Sequence, residues 1–199
     1  VGGGTDGGVL GGVRGRVGGA AFEGLGGGGV GGKEGDGVGT QAGRDAGPLV
    51  REGGVRGLGA SVGARPVVHA ARTEPARGVR AAAIQTATEA GDPEAWPRID
   101  ARMRDDGEWP EVVTAGVHYV RAMCRADAVE TLEVVVARAL KPDAWAPDLD
   151  VAGEAMLALL SLGTEEALAV VAHASREGAP PALRMAAEGR ERVAPCTRE

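Results

Sequence analysis

Three stretches of this sequence align without gaps and decide the fold: VRAAAIQTATEAGDPEA (79–95), VVTAGVHYVRAMCRADA (112–128) and VAGEAMLALLSLGTEEA (151–167). In each stretch, apolar or small residues recur at offsets 0, 4, 5, 8 and 11 from the first residue. This spacing places them on one face of an α-helix. Because self-similarity of this kind marks repeat architectures, the sequence predicts a series of similar helical units.

The end of each predicted helix carries a turn signal. Gly91, Cys124 and Gly163 occupy the same aligned position, where Gly is favoured as a C-terminal stop. A second helix then opens, with Asp92 and Thr164 as predicted N-caps. Each unit is therefore predicted to be a helix, a tight turn and a second helix. The predicted units are residues 75–107, 109–141 and 147–178, followed by a capping helix at 180–193.

The aligned positions also predict the core. The first helices share five columns, which are Val79/Val112/Val151, Ala83/Gly116/Ala155, Ile84/Val117/Met156, Ala87/Val120/Leu159 and Ala90/Met123/Leu162. The second helices share three columns, which are Ala95/Ala128/Ala167, Trp96/Val129/Leu168 and Ile99/Leu132/Val171. The column of small residues predicts a place where one helix approaches its neighbour closely.

The first third of the chain has a different composition. Of the 35 glycines among 199 residues, 27 fall in residues 1–63, and Phe22 is the only aromatic residue there. Gly loses the most backbone entropy on ordering, and this segment has little apolar area to offset that loss. The sequence therefore predicts a disordered, low-complexity Gly-rich segment at 1–64 and a helical domain at 65–199. Since no apolar run approaches about 20 residues, a membrane span is not expected.

Charge and cysteine content narrow the classes of ligand and compartment. The net charge of −6 lies entirely in residues 64–199, which argues against nucleic acid as the main ligand. The run of alternating charges at 98–106 predicts a solvated face. The two cysteines, Cys124 and Cys196, do not form a pattern typical of a disulfide framework. We therefore expect Cys196 to be an exposed tail thiol and the protein to be cytoplasmic.

Residues 74–193 resemble bacterial HEAT-repeat proteins, including the short phycobilisome-lyase-like subgroup. The resemblance rests on four motifs, which are V-R-x-A-A (79–83), L-R-M-A-A (183–187), G-D-P-E-A (91–95) and L-G-T-E-E-A-L (162–168). It implies an all-α, right-handed α-solenoid of about three helix pairs plus a C-terminal capping helix. It also implies that the stack serves as a binding surface, and it does not imply an enzyme.

No residue pattern points to catalysis or to a cofactor. His118 and Cys124 lie six residues apart, not the three or four that would place two metal ligands on one helical face. Cys124 is interpreted as a Gly-like helix terminus and not as a nucleophile. We therefore expect no metal, no cofactor and no catalytic residue.

The remaining candidate is the second-helix face opposite the buried stripe. Its centre is small and apolar, its rim is charged, and this arrangement is typical of a protein-binding patch. Alanine there would also be explained by helix propensity alone. The predicted partner-binding residues are Arg104, Glu130, Val134, Arg138, His173 and Arg176. The leading hypothesis is a non-catalytic scaffold for a protein or peptide. The alternatives are an enzyme or lyase accessory that uses the repeat cleft for a small ligand or cofactor, and a structural fragment of a longer repeat protein.

Overall fold

The computed structural model describes residues 47–48, 51–52, 55, 74–189 and 193–197. The predicted disordered segment, 1–64, lies outside the described residues except for five positions between 47 and 55. Among those five, Val55 is helical and buried, and it packs against Val79 and Ala82. Arg51 also pairs with Glu74 at 2.9 Å, a contact that the sequence did not predict.

The described part of the chain is all-helical, as predicted, and contains no strand. Between residues 74 and 189 it contains seven α-helices, which are α1 (Arg77–Glu89), α2 (Trp96–Arg104), α3 (Pro110–Ala122), α4 (Val129–Ala139), α5 (Ala146–Leu162), α6 (Glu165–Ala174) and α7 (Pro181–Glu188). One turn of 3₁₀-helix leads into α2 (Pro93–Ala95) and another into α4 (Ala126–Ala128). Proline occupies the first turn of α3, α5 and α7, where its missing N–H leaves no helical hydrogen bond unmade.

The turns between paired helices confirm the aligned stop position. Gly91, Cys124 and Gly163 all adopt left-handed backbone conformations, with φ of 61°, 48° and 64°. The side chain of Asp92 accepts a hydrogen bond from the amide of Glu94, and that of Thr164 accepts one from the amide of Ala167. Both predicted N-caps are therefore confirmed.

Most of the predicted core columns are buried. The first four columns of the first helices and the leading alanine column of the second helices are all below a tenth exposed. The fifth column lies at the edge of the core, because Ala90 is exposed while Met123 and Leu162 are half-buried. At Gly116 a side chain would collide with its neighbour, since an added Cβ would lie 2.6 Å from Met103 Sδ. At Gly116, therefore, α3 lies close against Met103 of α2, which agrees with the prediction for this position.

The helices contact one another in a regular order. In one series, α1 packs against α3, α3 against α5, and α5 against α7. In the other series, α2 contacts α4 and α4 contacts α6, while α4 also packs extensively against α5. Each new unit therefore adds one helix to each series.

The prediction that the two cysteines stay unpaired is wrong. Cys124 and Cys196 form a disulfide with their Cα atoms 5.5 Å apart. The two residues are 72 positions apart in sequence, but the packing of α3 against α5 brings the C-terminal segment beside the end of α3. Cys196 is accordingly half-buried and bonded, instead of an exposed free thiol.

No helix among the described residues is long and apolar enough to cross a lipid bilayer.

Candidate functional site

The predicted partner-binding residues lie on or just beyond α2, α4 and α6. Glu130 and His173 are exposed, as a binding surface requires. Val134 is half-buried, so its side chain belongs partly to the interior. The six predicted residues thus differ in how much of each side chain a partner could reach.

Arg104 and Glu130 are brought together by an ion pair that joins α2 to α4. The guanidinium of Arg104 lies 3.0 Å from Asp100 Oδ1 and 3.2 Å from Glu130 Oε2. The hydrogen bond to Asp100, followed by the one to Glu130, raises the pKa of Arg104 above its ordinary value. Thr131 Oγ1 donates a further hydrogen bond to Asp100. Arg104 therefore helps to align two helices as well as contributing charge to their surface.

Arg138 does not occupy the exposed rim that the sequence predicted. Its side chain is only 11% exposed, and its Nε donates to Asp106 Oδ1 at 2.9 Å. Its Nη2 donates to the carbonyl oxygen of Met103, also at 2.9 Å. Arg138 consequently fixes the chain at the end of α2, because a carbonyl there has no helical partner of its own.

Arg176 is not on a helix, in contrast to the prediction. Helix α6 ends at Ala174, and Ser175 follows it with its hydroxyl donating to the carbonyl oxygen of Val171. Gly178 then turns the chain with φ of 90°, which favours Gly. Arg176 therefore lies in the turn, displaced from the face that carries His173. Neither His173 nor Arg176 forms a hydrogen bond or ion pair with another described residue.

A groove lies between the beginnings of α4 and α6. Its volume is about 520 Å³, and Val129, Ala169 and Val170 provide apolar lining. Carboxylates surround this lining, contributed by Asp127, Glu130, Glu133 and Glu166. No basic residue is among the described lining residues, but Glu130 and Asp127 pair with Arg104 and Arg125. The negative charge of the groove therefore comes mainly from Glu133 and Glu166.

The sequence pattern predicts only part of this groove. It assigns Glu130 to the binding face but does not assign Asp127, Glu133, Glu166 or Val170 to it. Two of these, Asp127 and Glu166, lie in the first helical turn leading into α4 or beginning α6, where acidic residues also suit the positive end of a helix dipole. The available signal was therefore the repeated acidic first turn, but it has a local explanation that hides its place in a shared groove.

A second cleft lies between α1 and α2. Its volume is about 400 Å³, within the range of small-molecule sites, and its apolar lining includes Ile84 and Ile99. Arg80, Arg98, Arg102 and Asp105 supply the charged lining. Among the residues that the structure describes, no group of three or more His, Cys, Asp or Glu side chains is arranged to hold a metal ion.

No protein-family model and no curated protein matches the chain. The resemblance to HEAT repeats therefore rests on the recurring motifs alone. The class that the described residues define is an all-helical protein of repeated helix pairs.

Proposed function

We propose that this chain is a HEAT-like α-solenoid scaffold that binds a protein or peptide on the face of its second helices. The order of helix contacts supports a solenoid, because each pair contacts the next and the first helices form one continuous series. A non-catalytic role is part of the proposal, as is the cytoplasmic location. Because cytosolic disulfides are mostly transient or redox-active, a cytoplasmic location requires that the Cys124–Cys196 bond be of this kind.

The observation that carries the proposal is the groove between α4 and α6. Val170 packs against the core and Ala169 is exposed, so part of the apolar lining is open to a partner. Glu133 and Glu166 pair with no other described residue, and both are exposed. A partner that brings cationic side chains on either side of small apolar ones would complement this arrangement in charge and in polarity.

The second candidate function is the binding of a small ligand in the α1–α2 cleft. Its size and apolar lining favour this alternative, but Arg80, the buried cation of its lining, already has structural partners. Arg80 lies 2.5 Å from Glu108 Oε1 and also donates to the carbonyl oxygens of Glu74 and Pro75. Because these bonds occupy most of its guanidinium donors, Arg80 has little capacity left to bind a ligand.

Ala169 offers a cleaner test than Val134, because Ala169 is exposed in the groove while Val134 is half-buried. The probe is a synthetic amphipathic peptide in which Lys alternates with Leu and Ala, and a matched peptide carries Glu in place of Lys. We expect the Ala169→Lys variant to bind the cationic peptide at least about tenfold more weakly than the parent, because it adds both bulk and like charge.

Ala172→Lys is the matched control, since Ala172 is exposed on the same helix but is not among the groove-lining residues. It should keep the parent affinity, apart from a small loss from long-range repulsion that salt screens. Equal binding by all three proteins, or equal binding of the Lys and Glu peptides, would refute the groove as the binding site. Circular dichroism should show the same helical content throughout.

A further inference from the structure

The C-terminal residues 193–197 are held against the ends of α3 and α5 by one covalent bond and a few hydrogen bonds. The covalent bond is the Cys124–Cys196 disulfide. The amide of Cys196 donates to the carbonyl oxygen of Ser161 at 2.8 Å, and the hydroxyl of Ser161 donates to the carbonyl oxygen of Ala194 at 2.9 Å. Ser161 is 3% exposed, so it is one of few buried polar residues and both its groups bond to the C-terminal segment.

The backbone of Cys124 is suited to glycine, not to cysteine. Among the described residues, Cys124 is the only one other than glycine with a positive φ. The equivalent turns of the first and third units carry Gly91 and Gly163, which adopt this conformation without steric conflict. A side chain at φ of 48° is unfavourable, and such outliers concentrate at functional positions. The thiol, and not the backbone, therefore accounts for a cysteine at this turn.

The disulfide lies beside an open depression and not deep in the core. This depression has a volume of about 490 Å³, and its lining includes both cysteines together with His118, Arg121 and Ser161. His118 and Arg121 are exposed, so they are accessible from solvent. A thiolate reagent could therefore reach the sulfur atoms, and the guanidinium of Arg121 would favour the approach of its negative charge.

We propose that Cys124–Cys196 is a thiol–disulfide exchange site whose reducing substrate is a dithiol. One thiolate of the dithiol attacks a sulfur of the pair, the S–S bond breaks, and the other cysteine leaves as a thiolate that takes a proton from water. The second thiol of the reagent, after losing its proton, displaces the remaining cysteine. The reagent ends as a disulfide, and the protein gains two electrons and two protons as two thiols.

Reduction removes the only covalent anchor of residues 193–197 other than the chain itself. The two hydrogen bonds through Ser161 remain, but the one to Ala194 is only partly buried, so water can compete for it once the covalent bond is broken. Reduction should therefore release the segment and expose the ends of α3 and α5 that it covers. The exchange site thus controls the position of the C-terminal segment, and it does so independently of the groove between α4 and α6.

The first experiment asks whether the pair reacts in the folded, full-length protein. The oxidised protein is incubated with dithiothreitol in a glutathione-free buffer, quenched with N-ethylmaleimide and weighed by mass spectrometry, while circular dichroism monitors folding. We expect two maleimide additions after reduction and none before it, with helical content retained. If the pair resists reduction until the protein unfolds, or if the oxidant-treated protein keeps two free thiols, the proposal is overturned.

The second experiment asks whether the C-terminal segment is released. Hydrogen exchange at the amide of Cys196 should be at least about tenfold faster after reduction, measured well below the Tm, where circular dichroism shows that the helices stay folded. Because the closed loop spans 72 residues, reduction should also lower the Tm by about 10 °C. Unchanged exchange at Cys196 would overturn the release step.

Two variants separate the thiol from the backbone. Cys124→Gly and Cys124→Ala both remove the disulfide, but only glycine suits φ of 48°. Cys124→Gly should therefore melt above Cys124→Ala, and both should show rapid exchange at the Cys196 amide without any reductant. If the Tm of Cys124→Ala equals or exceeds that of Cys124→Gly, the turn does not disfavour side chains. The argument that the cysteine is there for its thiol is then overturned.

Discussion

The region around α1–α4 and the region around α5 are stabilised by different interactions. Arg80 and Glu108, the two buried charged residues of the described chain, both lie in the first region. Helix α5 buries eight residues, and Ser161 is the only polar one among them. Apolar periodicity alone therefore specifies α5, whereas the first two units also depend on charged partners that meet in the correct geometry.

The stability of the α1–α4 region, here called the polar region, depends on both partners of each buried ion pair. The stability of the α5 region, here called the apolar region, depends on how well apolar side chains fill the core. Glu108 accepts hydrogen bonds from Arg80 Nε at 3.0 Å and from the amide of Trp109 at 2.9 Å, and Arg102 lies 3.4 Å from the same carboxylate. Loss of one partner would leave a desolvated charge without compensation. Loss of a methylene group in α5 would instead leave a cavity. The following experiments distinguish these two modes.

Removal of the buried charge should have the largest effect. Glu108→Gln leaves Arg80 buried without a counter-charge, so we expect it to lower the free energy of unfolding by about 3–5 kcal/mol. Glu111→Gln is the matched control, because Arg77 and Glu111 also form a close ion pair, at 2.9 Å, but both side chains are about half exposed. The control should change stability by about 0–1 kcal/mol. Urea denaturation measures both, and equal losses would contradict the distinction between buried and exposed pairs.

Truncation in the apolar region should come next. Leu159 is fully buried in α5, so Leu159→Ala should lower the free energy of unfolding by about 2–5 kcal/mol. Leu140→Ala, at a residue that is 37% exposed, should change it by less than about 1 kcal/mol. An unchanged melting midpoint for Leu159→Ala would remove this residue from the core and shift the helical register assigned to the third unit.

The smallest effect should come from Tyr119, where the two modes meet. Its ring stacks on Trp96 with centroids 6.2 Å apart, and its hydroxyl donates to the carbonyl oxygen of Asp92 at 2.7 Å. Tyr119→Phe keeps the stacking and loses the hydrogen bond, so we expect a loss of about 0.5–1.5 kcal/mol at pH 7.

The same variant should alter the pH dependence of stability. Burial, aided by Asp92 and Asp127 and opposed by Arg125, raises the pKa of Tyr119 above its ordinary value of 10.0. The native state therefore holds the phenol proton more tightly than the unfolded chain does. This stabilisation is complete below pH 10.0 and is lost as the pH rises through the raised pKa. Denaturation at pH 7 and above pH 10 should show a smaller decline for Tyr119→Phe than for the parent. If both proteins lose stability equally above pH 10, the loss comes from groups other than Tyr119.

The sequence predicts the features that depend on local periodicity. The buried columns, the turns at Gly91 and Gly163 and the two N-caps follow from residue types and spacing within each unit. The turn at Cys124 follows from its alignment with the two glycines. The charged run at 98–106 is a case in which local pattern is not enough. Its alternation predicts a solvated face, yet Arg102, Arg104 and Asp106 each pair with a residue outside the run.

The parts that could not be predicted depend on how distant helices meet. The groove requires the starts of α4 and α6 to lie side by side, and alternation of charge along one helix does not reveal that. The prediction for Arg176 is wrong because Ser175 and Gly178 end α6 earlier than the apolar pattern indicates. The disulfide has no signal in the sequence pattern because its two residues lie in different units.

The disulfide also changes the connectivity of the chain. Residues 124–196 form a closed covalent ring that contains α4, α5, α6 and α7, while α1, α2 and α3 lie on the open part of the chain. The exposed turn after α6 belongs to this ring, so a single cleavage next to Arg176 would open the ring without dividing the molecule. The two pieces would stay one covalent species under oxidising conditions. More than a third of the chain therefore has two covalent routes to the rest of the molecule, and reduction leaves it with one.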